Sequence, residues 1–352
     1  MVTGRNSLIA WGPAKDAQAD VLIHHLHGAM DAGRAGRGLV ENLLDSLPSQ
    51  RILTLDSDAL MDYRAHRPWL TFENWTFTEV AMPVLALDLV QDDNSKNFMV
   101  LHGPEPDLRW EELLDTLATI LENCGVKKTI SVMGMGAAVP HSRPTPVHMH
   151  AMTPQNLPKQ PQMEGSMKVP SGFDQVLEYT LGGRGIDAMG LVAAVPYYLT
   201  DGLYPPAAVS LANRITSLTG LALPVGDLEA ASSLALGQVE KMVTASGEAA
   251  RMIEMLEENF DEASTMTSVP TAEESLPTAD EIGAKLEAYL ERTNKLGQHG
   301  SLDVTPLSVP EKSEKSDFGS LSYGNQGNVP PPFLQKKGRG RHRADPEEKP
   351  ES

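Results

Sequence analysis

The chain has 352 residues, 41% of them hydrophobic, enough for one large domain or two ordinary ones with a sizeable core. Its 47 acidic and 29 basic residues leave a net charge of −18. Such a charge repels phosphate backbones and anionic membrane surfaces, so we expect neither a nucleic-acid nor a membrane partner. The single cysteine, Cys124, excludes an intrachain disulfide. Because there is also no secretory signal and no apolar run of about 20 residues, we expect a cytoplasmic protein.

The N-terminal half of the chain alternates apolar runs with a helical pattern. Val21–Leu26 is typical of a buried strand, Gly33–Leu47 has apolar residues at helical spacing, and Ile52–Leu55 is the next strand candidate. Strand, helix and strand in this order predict a parallel sheet with a right-handed crossover. The other predicted elements of this half are a hairpin over Leu70–Val80 and strands over Pro83–Val90 and Phe98–His102.

Helices and strands continue to alternate in the next hundred residues or so. Trp110–Asn123 is the clearest helix, because its apolar residues fall on one face. The other predicted helices are Phe173–Leu181 and Pro205–Thr219, and the predicted strands are Thr129–Met135, Val147–Met152, Ala188–Ala194 and Leu221–Val225. This alternation predicts an α/β fold in the form of a three-layer α/β/α sandwich.

The character of the sequence changes after the last predicted strand. We expect a core domain over residues 1–231, a C-terminal helical extension over 232–299 and a disordered tail over 300–352. Leu228–Phe260 has a helical pattern with expected breaks at Gly237 and Gly247. Residues 261–278 have the composition of a linker, and Ala279–Gln298 is the second predicted helix.

Three polar loops follow predicted strands, and ligands of parallel sheets bind at the carboxyl ends of the strands. The first loop, Gly28–Gly38, contains Asp31, Gly33 and Arg34. Its glycines allow a ligand close to the backbone at the start of a helix, where free N–H groups attract anions. Their spacing matches no phosphate-loop motif. Asp31 can instead cap the helix with its own carboxylate, and we favour this structural interpretation.

The second loop runs from Asp56 to Trp69 and contains Asp62, Arg64 and Arg67. Two arginines three residues apart could clamp a carboxylate or phosphate by paired hydrogen bonds. They could equally pair with the aspartates of the same loop and hold it closed. We favour the structural use, because surface loops need such ties.

The third loop, Gly134–Pro144, contains His141 and Arg143. His141 could transfer a proton near neutral pH, and Arg143 could bind an anion. No nucleophile, base and orienting residue complete a catalytic set, so we assign no catalytic residue and expect no cofactor.

Histidines form two clusters on predicted strands. His25 and His27 share one strand face and His24 directly precedes them, and His148 and His150 share a face of another strand. No carboxylate or thiol completes a recognisable metal-ligand spacing. We therefore predict histidines with internal hydrogen-bond partners and no metal site.

Taken in chain order, these loops resemble those of the proteasome assembly chaperone 2 family, most closely its actinobacterial branch. The matching pieces are Gly28 with Asp31-Ala-Gly33; Asp58 with Asp62-Tyr-Arg64 and Arg67-Pro68; Gly103-Pro-Glu-Pro-Asp107 with Trp110; Gly134 with Pro140-His-Ser-Arg143-Pro144; and Val195-Pro-Tyr-Tyr198 with Tyr204-Pro205. The resemblance implies an α/β/α sandwich similar to nucleoside phosphorylases, self-association and, in eukaryotes and archaea, assistance in proteasome assembly. Those chaperones dock through a C-terminal hydrophobic–tyrosine–any tripeptide. The last residues here are Pro350-Glu-Ser352, so we do not expect that mode of docking.

Two functional hypotheses remain at this point. The first is a non-enzymatic, self-associating interaction or assembly factor, whose partner is related to the proteasome or is another cytosolic protein. The second is a protein that binds or processes an anionic small molecule such as a nucleotide or nucleoside. There Arg64, Arg67 and Arg143 would hold the anion and His141 would move a proton.

Overall fold

The computed structural model describes residues 8–28, 30–158, 166 and 168–267, with side chains as far as 263. The strands are β1 (Ile9–Trp11), β2 (Val21–His27), β3 (Ser49–Leu55), β4 (Trp69–Glu73), β5 (Thr76–Ala81), β6 (Ala86–Gln91), β7 (Asn97–Pro104), β8 (Lys128–Ala137), β9 (Val147–Ala151) and β10 (Asp187–Pro196). The helices are α1 (Ala35–Ser46), α2 (Ser57–Leu60), α3 (Trp110–Asn123), α4 (Phe173–Gly183), α5 (Pro205–Thr219), α6 (Gly226–Thr244) and α7 (Gly247–Thr267). The predicted three-layer α/β/α sandwich is confirmed.

Eight strands form the central sheet in the order β1-β3-β6-β7-β2-β8-β10-β9. Strands β7, β2, β8 and β10 are parallel neighbours, whereas β1, β6 and β9 run antiparallel to the strands beside them. β3 therefore runs in the direction of β2, as predicted, but β6 and β7 lie between them. The sheet is mixed and not purely parallel, because the short turn from β6 to β7 can join only antiparallel neighbours.

Each face of the sheet is covered by helices. Helices α3 and α4 pack on one face through residues such as Leu117 and Leu177, against Leu22 and Leu101 of the sheet. Helices α1 and α5 pack on the other face, and α6 contributes Leu228 to that side. Alternate residues of β2 point to opposite faces, as the pleat of a strand requires. The central strands are continuous apolar runs because both faces of the sheet are buried against helices.

Leu221–Val225 is not a strand, and the prediction of one was wrong. The segment follows α5 and places the buried Leu221 in the core. Its backbone is bound to the β6–β7 turn instead of to the sheet: the N–H of Ala222 donates to the Asp92 carboxylate at 2.8 Å, and its carbonyl accepts from Asp93 at 3.2 Å. An apolar run that fills a core gap has the same pattern as a buried strand.

The helical extension differs from its prediction in two places. α6 continues through Gly237, because Leu228 and Val239 are buried on either side of it and this packing offsets a cost of about 1 kcal/mol for the glycine. The predicted break at Gly247 is where α7 begins, and the start of the predicted linker, residues 261–267, still belongs to this helix. The predicted helix over 279–298 and the tail lie outside the described residues. The boundary at residue 231 falls inside α6 and stays a prediction.

Strands β4 and β5 form the predicted hairpin, which is a separate two-stranded sheet. Every residue of both strands is exposed. Within the described ranges, no helix is both long and apolar enough to cross a membrane.

Candidate functional site

The three predicted loops leave the same edge of the sheet, because β2, β3 and β8 run in one direction. They do not converge on one point. Strands β6, β7 and β2 separate β3 from β8, which places the ends of those two strands about 19 Å apart. Among the described residues, no hydrogen bond or ion pair joins Arg64 or Arg67 to His141 or Arg143.

Asp31 caps α1 from outside the helix, as predicted. Its carboxylate accepts hydrogen bonds from the N–H groups of Gly36 and Arg37, each at 3.0 Å, and from that of Gly134 at 2.8 Å. The Nε2 atom of His25 lies 3.3 Å away. The N–H groups that could have attracted an external anion are thus already bound to a carboxylate of the protein itself.

Gly33 and Arg34 shape the backbone between Asp31 and α1. Gly33 has a φ of 63°, and a β-carbon there would lie 2.8 Å from that of Tyr204. Its N–H donates to the Thr200 carbonyl at 2.8 Å, and its carbonyl accepts from Tyr204 at 2.9 Å. Arg34, with a φ of 49°, is the left-handed residue before α1. Gly33 fixes the loop to the segment after β10, which is a structural use.

A cavity of about 320 Å³ opens beside Asp31 at this edge. It is lined by Met30, Asp31, Ala32, Met133, Gly134, Met135, Gly136, Thr200 and Asp201. Two lining residues are acidic and none of this set is basic, so its charge opposes an anionic ligand.

The aspartates of the second loop do not pair with its arginines, so the expected structural use of Arg64 and Arg67 was wrong. The carboxylate of Asp62 accepts from the backbone N–H of Arg64 at 2.9 Å. Asp58 accepts from the Tyr63 hydroxyl at 2.5 Å, and this hydrogen bond raises the pKa of Tyr63 to about 12. In the described part of the chain both guanidinium groups are exposed and make no ion pair. A backbone N–H and a tyrosine hydroxyl of the same loop thus take these carboxylates, since short polar side chains bond readily to nearby groups of the chain.

His141 is buried and held by Tyr198. The Tyr198 hydroxyl accepts from the His141 backbone N–H at 2.9 Å and lies 2.8 Å from Nδ1. Burial raises the pKa of Tyr198 to about 12, so its proton remains available for Nδ1. On the other side, Nε2 lies 3.6 Å from the Glu240 carboxylate of α6. This imidazole is buried between the third loop and α6, and its Nε2 atom has no hydrogen-bond partner among the described residues.

Arg143 is bound to α7. Its guanidinium donates to both oxygens of Asp261, at 2.9 and 2.7 Å, and lies 3.4 Å from Glu257. The hydrogen bond to Asp261 raises the pKa of Arg143. Ser142 also donates to Glu257, and the Tyr197 hydroxyl lies 2.8 Å from the sulfur of Met252. The predicted anion ligand of the third loop is therefore satisfied by carboxylates of the same chain.

A row of buried polar groups between α4 and the sheet was missed in the sequence. Asp174 of α4 lies 2.7 Å from Nδ1 of His24 and accepts from the Leu26 N–H at 2.7 Å. Burial alone would raise the pKa of Asp174, but the hydrogen bond and charge of His24 lead a set of contacts that lowers it. One turn later, Glu178 accepts from Ser131 at 2.9 Å and lies 3.0 Å from Nε2 of His150.

These carboxylates attach α4 to the sheet. Asp174 and Glu178 lie on the same helix face as the buried Leu177 and Leu181. Acidic residues at helical spacing within an apolar face were the available signal, because a carboxylate is rarely buried without a partner.

Three of the five histidines that could have suggested a metal have other partners. His24 and His150 contact the α4 carboxylates, and Nδ1 of His25 lies 2.9 Å from the Val132 carbonyl. The rings of His25 and His27 are 5.6 Å apart on one strand face, as predicted. Burial, together with the charges of His25 and Arg37, lowers the pKa of His27 to about 3. No group of three or more possible ligands gathers within the described residues.

With this geometry established, comparison with known proteins identifies the family. The family model described as the PAC2 family matches residues 25–243. The chain belongs to the PAC2 family. The matched range contains the three loops and the two other segments on which the resemblance rests. No curated protein matches the chain significantly.

Several solved structures resemble this PAC2 protein. A Corynebacterium glutamicum protein of unknown function is 33% identical, with a TM-score of 0.66, and the match covers 70% of this chain and 91% of that one. A Mycobacterium tuberculosis protein of unknown function is 30% identical, with a TM-score of 0.69 and coverage of 74% and 92%. A proteasome-assembly chaperone homologue of M. tuberculosis is 25% identical, with a TM-score of 0.61 and coverage of 66% and 99%.

Proposed function

We propose that this PAC2 protein is a self-associating, non-enzymatic interaction or assembly factor of the cytoplasm. The similarity to a proteasome-assembly chaperone homologue at 25% identity supports a role in assembly. Its partner would be proteasome-related or another cytosolic protein.

The contacts that the predicted ligand residues already make within the chain favour a protein-binding role over a catalytic one. The Asp31 carboxylate binds the free N–H groups at the N-terminus of α1, and the carboxylates of Asp261 and Glu257 bind the Arg143 guanidinium. His141 is enclosed between Tyr198 and α6. Of the groups that an anion site at these loops would need, Asp31 and Arg143 are therefore engaged in contacts that hold the fold, and His141 is buried.

The exposed hairpin carries the proposal. Strands β4 and β5 expose large apolar side chains, among them Trp75 and Phe77 with 80% and 74% of their surface accessible. An isolated two-stranded hairpin is marginally stable in water, and large exposed apolar patches mark interaction sites. A chain that exposes such a surface is built to bind another protein surface.

The test combines mass measurement with an assembly assay on the full chain. We expect light scattering to give a mass above the 38.1 kDa of one chain. We also expect native mass spectrometry to detect a stoichiometric complex with separately purified proteasome subunits, and deletion of the gene to change the yield of assembled 20S particles. A monomer that binds no subunit and has no effect on assembly would contradict the proposal.

Arg64 and Arg67 support a second candidate function, the binding of an anionic group. Both guanidinium groups are exposed, and neither makes an ion pair with the described residues. We propose that they could bind an anionic group, either of a small molecule or of a partner. Thermal-shift measurements with phosphate and nucleotides test this: a ligand at 100 times its Kd adds about 2.7 kcal/mol. No shift for the wild type, or an equal shift for Arg64→Ala with Arg67→Ala, would exclude it.

A further inference from the structure

The cavity beside Asp31 lies outside the carboxyl ends of three neighbouring parallel strands, β2, β8 and β10. Met30 and Asp31 follow β2, Met133 and Met135 belong to β8, and Asp201 follows β10. Its volume of about 320 Å³ is at the lower end of the range of small-ligand pockets. Ligands of α/β sheets bind at this edge, so both the size and the place suit a single side chain or a small molecule.

The negative charge of this cavity is not matched by a cation of the lining. Asp31 accepts its three hydrogen bonds from backbone N–H groups, which carry no net charge. Asp201 is exposed and makes neither a hydrogen bond nor an ion pair with the residues that the structure describes. None of the lining residues is basic. In a chain of net charge −18, the cavity therefore attracts a positively charged group.

His25, behind the cavity wall, presents a lone pair to Asp31. Its Nδ1 atom lies 2.9 Å from the Val132 carbonyl, so in the neutral ring Nδ1 carries the proton and Nε2 carries the lone pair. Nε2 is buried, has no hydrogen-bond partner in the described part of the chain and lies 3.3 Å from the Asp31 carboxylate. Two buried acceptors side by side are unfavourable. A cation on the cavity side of Asp31 would offset this repulsion.

The apolar part of the lining favours a cation that has an alkyl stem. Met30 and Met135 are 55% and 52% exposed, and Met133 is buried beside them. Thioether side chains adapt readily to the shape of an apolar group. Two carboxylates are fewer ligands than a bare divalent cation takes, whereas an ammonium group has only three donors to place. An ammonium group on an alkyl stem thus matches both the charge and the methionines.

We propose that the cavity beside Asp31 binds a primary ammonium group on an alkyl stem, which is the chemistry of a lysine side chain of a protein partner. Asp31 and Asp201 supply the negative charge, and Met30 and Met135 contact the stem. The assignment of the group to a partner's lysine rests on the proposed function, whereas the site itself rests on the lining of the cavity.

NMR titration of the full chain, labelled at its methionine methyl groups, tests the site. The probe is n-butylammonium at constant ionic strength, and 1-butanol is the neutral control with the same stem. We expect saturable shifts of the Met30 and Met135 methyl signals, with 1-butanol binding at least about tenfold more weakly. Asp201→Asn should raise the Kd for butylammonium about fivefold. Glu111→Gln, which changes an exposed carboxylate of α3, should leave it unchanged.

A peptide experiment tests the source of the ammonium group. A blocked pentapeptide with a central lysine should displace butylammonium, and the same peptide with acetyl-lysine should not, because acetylation removes the charge. Binding of butylammonium that the lysine peptide does not displace would overturn the assignment to a partner's lysine.

Two further results would overturn the site itself. The first is equal binding of butylammonium and 1-butanol, or a Kd that Asp201→Asn does not change. The second is a His25 ring that nitrogen NMR finds doubly protonated at about pH 7.5, because that ring would supply the cation from within the chain. These readouts are independent of the mass and assembly measurements, so failure of the proposed function and failure of this site are distinguishable.

Discussion

Among single residues, Asp31 has the most contacts of any predicted ligand. It accepts three backbone N–H groups from α1 and β8. Asp31→Ala leaves these donors without partners, and we expect urea unfolding to show a loss of about 1–3 kcal/mol. Asp201→Ala changes an exposed carboxylate of the same cavity and should cost less than about 0.5 kcal/mol. Stabilisation by Asp31→Ala would instead indicate a residue kept for a ligand at the expense of the fold.

His150 gives the fold a pH-dependent contribution. Its hydrogen bond to Glu178 raises the pKa of His150 above the ordinary 6.5. A raised pKa in the folded state means that the protonated ring stabilises the fold below that value, and that this contribution is lost as pH rises through the raised pKa. We expect His150→Gln to lower the melting temperature more at about pH 6 than at about pH 8.5. Glu178→Gln should abolish the same pH dependence; an equal loss at both pH values would contradict the assignment.

At the scale of elements, α1 contains two glycines in different surroundings. One is required by close packing, whereas the other only lowers the helix propensity. A β-carbon on Gly36 would lie 2.4 Å from the Val132 carbonyl and 2.5 Å from Nδ1 of His25, so α1 can approach β8 only with glycine there. A β-carbon on Gly38 would meet nothing closer than Leu203, at 3.8 Å. We expect Gly36→Ala to cost about 1–3 kcal/mol in urea unfolding and Gly38→Ala to gain about 0.5–1 kcal/mol. Equal effects would mean that α1 can shift away from the sheet.

The elements themselves were largely predictable. The helices Trp110–Asn123 and Pro205–Thr219 have the predicted bounds, because an apolar periodicity and a starting proline are local signals. The order of the strands was not predictable in this way. β3 lies three places from β2 because β6 and β7 insert between them, and such pairing joins residues far apart in the chain.

For the whole molecule, charge and apolar surface oppose each other in self-association. Two chains of net charge −18 repel, while burial of exposed apolar side chains would favour the proposed self-association. Salt shortens the screening length from about 30 Å at 0.01 M to about 8 Å at 0.15 M. We therefore expect the Kd for self-association, measured by sedimentation, to fall as salt is added. A Kd that rises with salt would indicate an interface held by ion pairs in place of apolar contacts.

At the candidate site, residue types alone predicted some hydrogen-bond partners and not others. The cap formed by Asp31 was predicted, since a carboxylate just before a helix has nearby N–H groups to bind. The engagement of Arg143 by Asp261 was not, because 118 residues separate the pair. The aspartates near Arg64 and Arg67 were assigned to the wrong donors, since sequence proximity does not reveal which atoms point at each other.

The sequence by itself determined the family, the sandwich and the hairpin, because loop motifs, periodicity and turn residues are local properties of the chain. Tertiary structure decided which polar groups are occupied and which apolar ones are exposed. The pattern of β4 and β5 would suit a hairpin packed on the core equally well, yet both strands are exposed along their length. Burial depends on the atoms that the rest of the chain brings near a residue, and that arrangement is set only when the chain is folded.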